Sequence, residues 1–140
     1  MSAGYLIDTN VLSEARKGAR ANAGVRRFFA DADDDSLWIS VLSCGEIRKG
    51  IELLRARDPR TANVLERWLA GLERDFAARI LPVDAAVADT WGKLDALGPT
   101  PAIDGLLAAT ALAHDLTLVT RNVRHVRSTG ATVLDPFAAR

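Results

Sequence analysis

The chain has 140 residues, of which 49% are hydrophobic and 26% charged, the profile of an ordinary globular domain. Its 18 basic residues balance 18 acidic ones, which excludes a uniformly basic nucleic-acid-binding surface. Any polyanion must therefore bind through local basic patches or through bound metal. A single cysteine excludes an intramolecular disulfide, and neither a secretory signal nor a run of the roughly 20 apolar residues of a membrane span is visible. We expect one domain over residues 1–140, in the cytoplasm and without a membrane partner.

Short apolar runs alternate with helix-compatible segments along the chain. In order, the pattern predicts strands over residues 4–7, 36–39, 80–83, 116–120 and 131–134. It predicts helices over residues 11–17, 23–32, 41–57, 60–78, 85–97 and 101–114, with a turn or short helix at 121–127. Because parallel strands need crossover connections, this alternation predicts an α/β architecture with a mainly parallel sheet.

Three acidic residues occupy positions that such a sheet brings to one edge. Asp8 directly follows the first strand, Glu46 lies in the first turns of a helix, and Asp104 lies near the start of a largely apolar helix. A carboxylate is costly to bury unpaired, so Asp104 must face solvent, a partner or a metal. Strand ends and helix starts converge at the carboxyl edge of the sheet, so these side chains can meet despite their separation in sequence.

Clustered carboxylates indicate a hard divalent cation. Mg²⁺ and Mn²⁺ prefer oxygen ligands, and such a cation activates water and stabilises charge on a phosphodiester. Each residue also has an alternative role that needs no metal. Asp8 suits a turn or a helix N-cap, Glu46 a solvent-facing helix position, and Asp104 a first-turn partner of the helix dipole. The spacing alone leaves these alternatives open.

Four segments, in this order, resemble the motifs of PIN-domain nucleases. They are residues 5–11 (YLIDTNV), 40–47 (SVLSCGEI), 103–111 (IDGLLAATA) and 118–122 (LVTRN). Together they span nearly the whole chain. The length and the last two motifs look most like the VapC-type toxins of bacterial toxin–antitoxin pairs, and within these the FitB-like subgroup.

This resemblance implies a PIN-like fold, a three-layer α/β/α sandwich, and an RNA endonuclease that needs Mg²⁺ or Mn²⁺. It also implies a homodimer inhibited by a cognate antitoxin, with operator DNA bound only through that antitoxin. By motif position, Asp8, Glu46 and Asp104 are the implied catalytic and metal-binding carboxylates. Family members often add a fourth acidic residue around the last motif, where this chain has Asn122 and then His125. We therefore expect the three carboxylates to form one metal site, and the presence of a second metal site stays an open question.

Polar residues near the carboxylates are the predicted supporting groups, since ligating carboxylates are themselves hydrogen-bonded. They are Thr9, Asn10, Ser43, Thr120 and Asn122. The candidate RNA contacts among nearby basic residues are Lys49, Arg121 and Arg124, although a solvated helix face is the simpler explanation of any one of them. His125 could bind phosphate or act as an acid, but a surface histidine is the simpler expectation.

Two other functions stay open. One is a regulatory binding partner that acts mainly in a complex of antitoxin and operator DNA, and the other is a PIN nuclease of housekeeping RNA processing with no antitoxin. The balanced charge and the lack of a recognition-helix motif argue against DNA binding by this chain alone.

Overall fold

A five-stranded sheet runs through the centre of the computed structural model, which describes residues 4–138; the predicted domain, residues 1–140, extends beyond this range at both ends. The strands are β1 (Tyr5–Ile7), β2 (Leu37–Ser40), β3 (Ile80–Leu81), β4 (Thr117–Val119) and β5 (Val133–Leu134). They lie in the order β3-β2-β1-β4-β5, and every pair is parallel. This confirms the predicted parallel sheet.

Seven α-helices connect the strands within the described range. They are α1 (Thr9–Ala15), α2 (Ala23–Asp31), α3 (Val41–Arg55), α4 (Pro59–Asp75), α5 (Ala85–Leu97), α6 (Ala102–Ala113) and α7 (Val123–Val126). Two helices begin at predicted caps: Ser40 Oγ accepts from the Leu42 N–H, and Asp84 Oδ1 accepts from the Val87 N–H. None of these helices combines the length and apolarity needed to cross a membrane.

Several predicted boundaries differ from the observed ones. The strand expected at residues 80–83 ends at Leu81, because Pro82 has no N–H to donate to a sheet. The strand expected at residues 131–134 is shorter than predicted and covers only Val133–Leu134, which is β5. The helix expected at 60–78 ends at Asp75 and is followed by a short 3₁₀ turn, Ala77–Arg79. The first helix begins two residues earlier than expected, because Asp8 caps it.

Both faces of the sheet are covered by helices. Successive side chains of a strand point to opposite faces, so neighbouring residues enter different cores. Leu6 and Leu118 pack in the core that includes residues of α6 and α7, whereas Ile7 and Val119 pack in the core that includes residues of α1 and α2. All four side chains are at most 1% exposed. The fold is therefore the three-layer α/β/α sandwich that was predicted.

An ion network links α3 to α4 on the surface. Arg48 Nη2 lies 2.6 Å from Glu66 Oε2, and Arg55 Nη2 lies 2.6 Å from Glu66 Oε1. Glu52 contacts both arginines at 3.1 Å. Hydrogen bonds from Arg48 and then Arg55 are the main causes that lower the pKa of the Glu66 carboxyl from 4.5 to about 2. One carboxylate thus joins two helices through two guanidinium groups.

Replacing Glu66 with glutamine is expected to lower the unfolding temperature near neutral pH. The folded-state pKa of Glu66 lies below its ordinary value of 4.5, so its ionised form contributes stability above that pH, and the contribution disappears as the pH falls through about 2. Thermal unfolding of both proteins between pH 7 and pH 2 checks this. Their difference should shrink towards acid and towards high salt. A difference that stays constant with pH would show that the network does not act through charge.

A glycine sets the position of α6 against α5. A Cβ at Gly105 would overlap the hydroxyl oxygen of Thr100 and lie 3.2 Å from Trp91 Nε1. Gly105 directly follows Asp104, so this close approach fixes where the first turn of α6 lies. The position of the Asp104 backbone therefore depends on the absence of a side chain at the next residue.

Replacing Gly105 with alanine is expected to destabilise the protein by about 1–3 kcal/mol, because the added methyl group overpacks the contact with Thr100. Gly92→Ala is the matched control: it also lies inside a helix, and a Cβ there meets no described atom within 4 Å. That control should gain stability by roughly 0.5–1 kcal/mol from helix propensity. Urea unfolding measures both. A stabilised Gly105→Ala protein would contradict the packing argument.

Candidate active site

Three carboxylates come together at the carboxyl edge of the sheet. Chain order reverses around β1, which has β2 on one side and β4 on the other, and ligands of parallel sheets bind at such a point. Asp8 directly follows β1, Glu46 lies in α3 after β2, and Asp104 lies in the first turn of α6. Burial is the main cause that raises the pKa of Asp8, and the negative charges of Glu46 and Asp104 raise it further. The fold therefore brings the three predicted residues into one electrostatic environment.

Asp8 is the most enclosed of the three, at 4% exposed. Its Oδ2 accepts a 2.7 Å hydrogen bond from Thr120 Oγ1, and its Oδ1 accepts one of 2.7 Å from the Thr9 N–H. Burial is the main cause that raises the pKa of Asp8 above its ordinary value of 3.8, and these two hydrogen bonds oppose it. Asp8 is the N-cap of α1, and it also belongs to the group of Asp8, Glu46 and Asp104, called the acidic cluster below. The helix-cap role and the proposed metal-site role of Asp8 are therefore compatible.

Polar residues join the segments that carry the carboxylates. Thr9 Oγ1 donates a 2.7 Å hydrogen bond to Glu46 Oε1. Asn10 Nδ2 lies 3.4 Å from Asp8 Oδ2, and Asn10 Oδ1 accepts from the Arg121 N–H at 3.3 Å. The loop after β1 is thus bound to α3 and to the loop after β4. Three predicted supporting residues, Thr9, Asn10 and Thr120, contact the cluster directly.

The other two predicted supporting residues behave differently. Asn122 donates its backbone N–H to Thr120 Oγ1 at 3.0 Å, so it supports Asp8 only through Thr120. Ser43 is fully buried, and its hydroxyl has no hydrogen-bond partner among the described residues. It lies on the stripe of α3 that also buries Ile47 and Ile51, and it makes no hydrogen bond with a carboxylate of the cluster.

His125 lies at the surface, as expected, and in addition it contacts the acidic cluster. Its Nδ1 lies 2.7 Å from Asp104 Oδ2. The side chain of Asp104 is 14% exposed and that of His125 is 51% exposed. The one sequence signal for this residue was its place just beyond the last motif, three residues after Asn122.

The cluster has the donor set of a hard-cation site. Among residues 4–138, no three His, Cys, Asp or Glu side chains are grouped closely enough to hold a metal ion by themselves. Mg²⁺ does not require such a cage, since it usually keeps several waters and binds one or two carboxylates. Three carboxylates in one electrostatic environment, with oxygen as their only ligand atom, therefore fit Mg²⁺ or Mn²⁺ better than a softer ion.

Comparison with known proteins identifies the family. The family model described as PIN domain matches residues 5–130. The chain belongs to the PIN-domain family. This PIN domain is 32% identical to Toxin FitB of Neisseria gonorrhoeae over 138 residues, which cover 94% of this chain and 97% of that protein. It is 28% identical to VapC ribonuclease Y4jK of Sinorhizobium fredii, with 94% and 96% covered.

The structural comparison agrees with the sequence comparison. The crystal structure of FitAcB from Neisseria gonorrhoeae matches this PIN domain with a TM-score of 0.85 and 30% sequence identity, over 96% of this chain and 99% of that chain. The resemblance of the four motifs to PIN-domain nucleases and VapC-type toxins is confirmed, as is the PIN-like fold.

Basic side chains lie beside the segments that carry the carboxylates of this PIN domain. Lys49 is exposed one turn after Glu46 on α3. Arg124 is exposed and directly precedes His125 on α7. The guanidinium of Arg121 lies over the Phe137 ring, 4.4 Å from its centroid, which holds that charge close to the loop after β4. These positions are compatible with the local basic patches that a chain of balanced charge needs to meet a polyanion.

Proposed function

We propose that this PIN domain is a metal-dependent endoribonuclease that hydrolyses RNA phosphodiester bonds, and that it is the toxin of a type II toxin–antitoxin pair. The observation that carries the proposal is Asp8, a carboxylate at 4% exposure on which the charges of Glu46 and Asp104 also act. Such an arrangement is costly for folding unless a cation compensates the charges. Relatives named as a toxin and as a VapC ribonuclease support the same function.

Asp8, Glu46 and Asp104 would hold the Mg²⁺ or Mn²⁺. When bound, the cation supplies an activated water and compensates charge on the phosphodiester. The chain fixes the direction of the carboxylates: Thr120 and the Thr9 N–H hold Asp8, and the Thr9 hydroxyl holds Glu46. This arrangement limits the reorganisation that binding requires, because the carboxylates are already oriented before the cation arrives.

Lys49, Arg121 and Arg124 would bind backbone phosphates of the RNA. Contacts of this kind carry little sequence information and weaken steeply with salt. We expect the KM for RNA to rise with ionic strength, and to rise further when the three residues are replaced together by glutamine. Unchanged RNA binding by that triple variant at low salt would remove these residues from the proposal.

The metal requirement is tested on purified protein with a labelled single-stranded RNA. Cleavage should disappear in excess EDTA and return when Mg²⁺ or Mn²⁺ is added beyond the chelator. Single-stranded DNA of the same sequence serves as the matched substrate control and should remain intact. Equal RNA cleavage with and without EDTA would contradict the metal requirement. Absence of RNA cleavage with either cation would contradict the nuclease activity and favour a regulatory binding partner.

The proposal that this chain is a toxin also implies a protein partner, an oligomeric state and a cellular location. We propose that a cognate antitoxin, encoded beside this chain, neutralises it in the cytoplasm, that the chain forms a homodimer, and that operator DNA is bound only through the antitoxin. Adding the purified neighbouring protein should stop RNA cleavage, and sedimentation equilibrium should give the mass of two chains. RNA cleavage that no neighbouring protein inhibits would instead favour a housekeeping nuclease.

A further inference from the structure

The contact between His125 and Asp104 completes a pattern within the acidic cluster. Each carboxylate of the cluster has one oxygen held by a side-chain donor from another segment. Thr120 Oγ1 holds Asp8 Oδ2, Thr9 Oγ1 holds Glu46 Oε1, and His125 Nδ1 holds Asp104 Oδ2, each at 2.7 Å. The first two donors are hydroxyl groups, of Thr120 directly after β4 and of Thr9 at the start of α1, whereas the third is an imidazole on α7.

His125 is held in place by the residue that follows it. Val126 is 1% exposed and packs in the same core cluster as Leu107 of α6, the helix that carries Asp104. The backbone of α7 is therefore fixed against α6, although the His125 ring itself is 51% exposed. A change in this ring should leave the core intact, because the buried contacts belong to its neighbour.

The chemistry of the contact fixes the roles of the two groups. A carboxylate oxygen accepts hydrogen bonds, so we assign the hydrogen of this 2.7 Å contact to His125 Nδ1, in the tautomer that donates to Asp104 Oδ2. The second oxygen, Asp104 Oδ1, accepts no hydrogen bond from the described residues. One oxygen of this carboxylate is therefore committed to His125, and the other is available to a ligand.

We propose that His125 is a positioning residue for Asp104, and that its Nδ1–H bond sets the direction in which Asp104 presents its available oxygen to the metal. The inference rests on the proposed function of the acidic cluster as a cation site. It differs from a role in which His125 binds the cation itself, since the positioning role requires only a donor at the place of Nδ1. Groups that orient ligating carboxylates typically contribute about 10–100-fold in metal affinity or activity.

Three substitutions separate the two roles. His125→Asn places an amide N–H near the position of Nδ1, His125→Gln places one near the position of Nε2, and His125→Leu removes the donor. The first readout is Mn²⁺ binding, followed from the EPR signal of free Mn²⁺ during titration of metal-free protein. The second is thermal unfolding of the same metal-free samples, which should be unchanged because the ring is exposed.

We expect His125→Leu and His125→Gln to weaken Mn²⁺ binding by about 10–100-fold and His125→Asn to retain most of it. In cleavage assays, the loss should appear in kcat at saturating RNA and diminish as the Mn²⁺ concentration is raised. Mn²⁺ binding by His125→Leu at the wild-type dissociation constant would overturn the inference and leave the proposed function intact. Equal weakening by all three substitutions would also overturn it, because an essential imidazole indicates a direct ligand. Absence of Mn²⁺ binding and RNA cleavage in the wild-type protein would overturn the proposed function and this inference with it.

Discussion

Replacing Asp8 with asparagine is expected to reduce RNA cleavage by more than about 100-fold, because the loss of a ligating carboxylate should exceed the 10–100-fold effect typical of the groups that support one. The substitution keeps the size of the side chain and removes its charge. Asp8 is 4% exposed at the end of β1, so no neighbouring carboxylate can take its place without moving the strand. Multiple-turnover cleavage of labelled RNA at saturating Mg²⁺ measures the loss.

Stability separates this effect from simple damage to the fold. Asparagine caps a helix as well as aspartate does, and its side-chain oxygen can accept the Thr9 N–H that Asp8 Oδ1 accepts now. Its Nδ2 takes the place of Asp8 Oδ2 and can donate to Thr120 Oγ1, because that hydroxyl can turn and accept instead of donating. It also removes a buried charge beside Glu46 and Asp104. The Asp8→Asn protein should therefore unfold at the same or a higher temperature in metal-free buffer, and Mn²⁺ should stabilise the wild type only. An inactive variant with a lower unfolding temperature would indicate a structural role, and an active one would remove Asp8 from catalysis.

Replacing Thr120 with valine has the second largest expected effect. Thr120 Oγ1 donates to Asp8 Oδ2 at 2.7 Å and accepts from the Asn122 N–H at 3.0 Å, so one hydroxyl holds both the carboxylate and the loop after β4. Valine has the same shape, but it leaves the Asn122 N–H without this partner and leaves Asp8 Oδ2 with only the 3.4 Å contact from Asn10 Nδ2. We expect a loss of about 1–3 kcal/mol in the free energy of unfolding. We also expect cleavage to fall by about 10–100-fold.

Thr120→Ser is the matched control, because serine keeps the hydroxyl and loses only a methyl group. It should retain most of the cleavage activity and both hydrogen bonds. Urea unfolding and RNA cleavage, measured on the three proteins side by side, distinguish the hydroxyl from the methyl group. If valine and serine reduce activity equally, the hydrogen bond to Asp8 is not what supports the site.

The sheet and most of the site could be predicted because their signals are local. Alternation of apolar runs with helical segments is enough to require a parallel sheet, and the carboxyl edge of such a sheet gathers residues that follow different strands. Asp8 and Thr120 follow adjacent parallel strands and are hydrogen-bonded across 112 positions of sequence. Helix starts at Ser40 and Asp84 were equally predictable, since a capping side chain bonds within its own turn.

The remaining features depend on how helices are rotated and packed, which the sequence does not specify locally. Ser43 and Glu46, three residues apart on α3, point only about 60° apart, yet Ser43 is buried and Glu46 is exposed, so a small rotation of the helix decides which of them meets the site. The contact between Asp104 and His125 requires α6 and α7 to pack at one particular distance, and no short-range pattern encodes that distance. Proximity to a motif therefore could not show that Ser43 makes no hydrogen bond with the carboxylates, or that the exposed His125 contacts one of them.

The central claim is that Asp8, Glu46 and Asp104, from three separate segments, form one cation site. Anomalous diffraction at the manganese edge, on crystals of the wild-type protein grown with Mn²⁺ and of Asp8→Asn grown the same way, tests it most directly. We predict one strong anomalous peak within bonding distance of Asp8 or Asp104, or linked to them by water, and no such peak in the variant. A wild-type crystal without a peak at this cluster, or with its peak elsewhere, would contradict the claim.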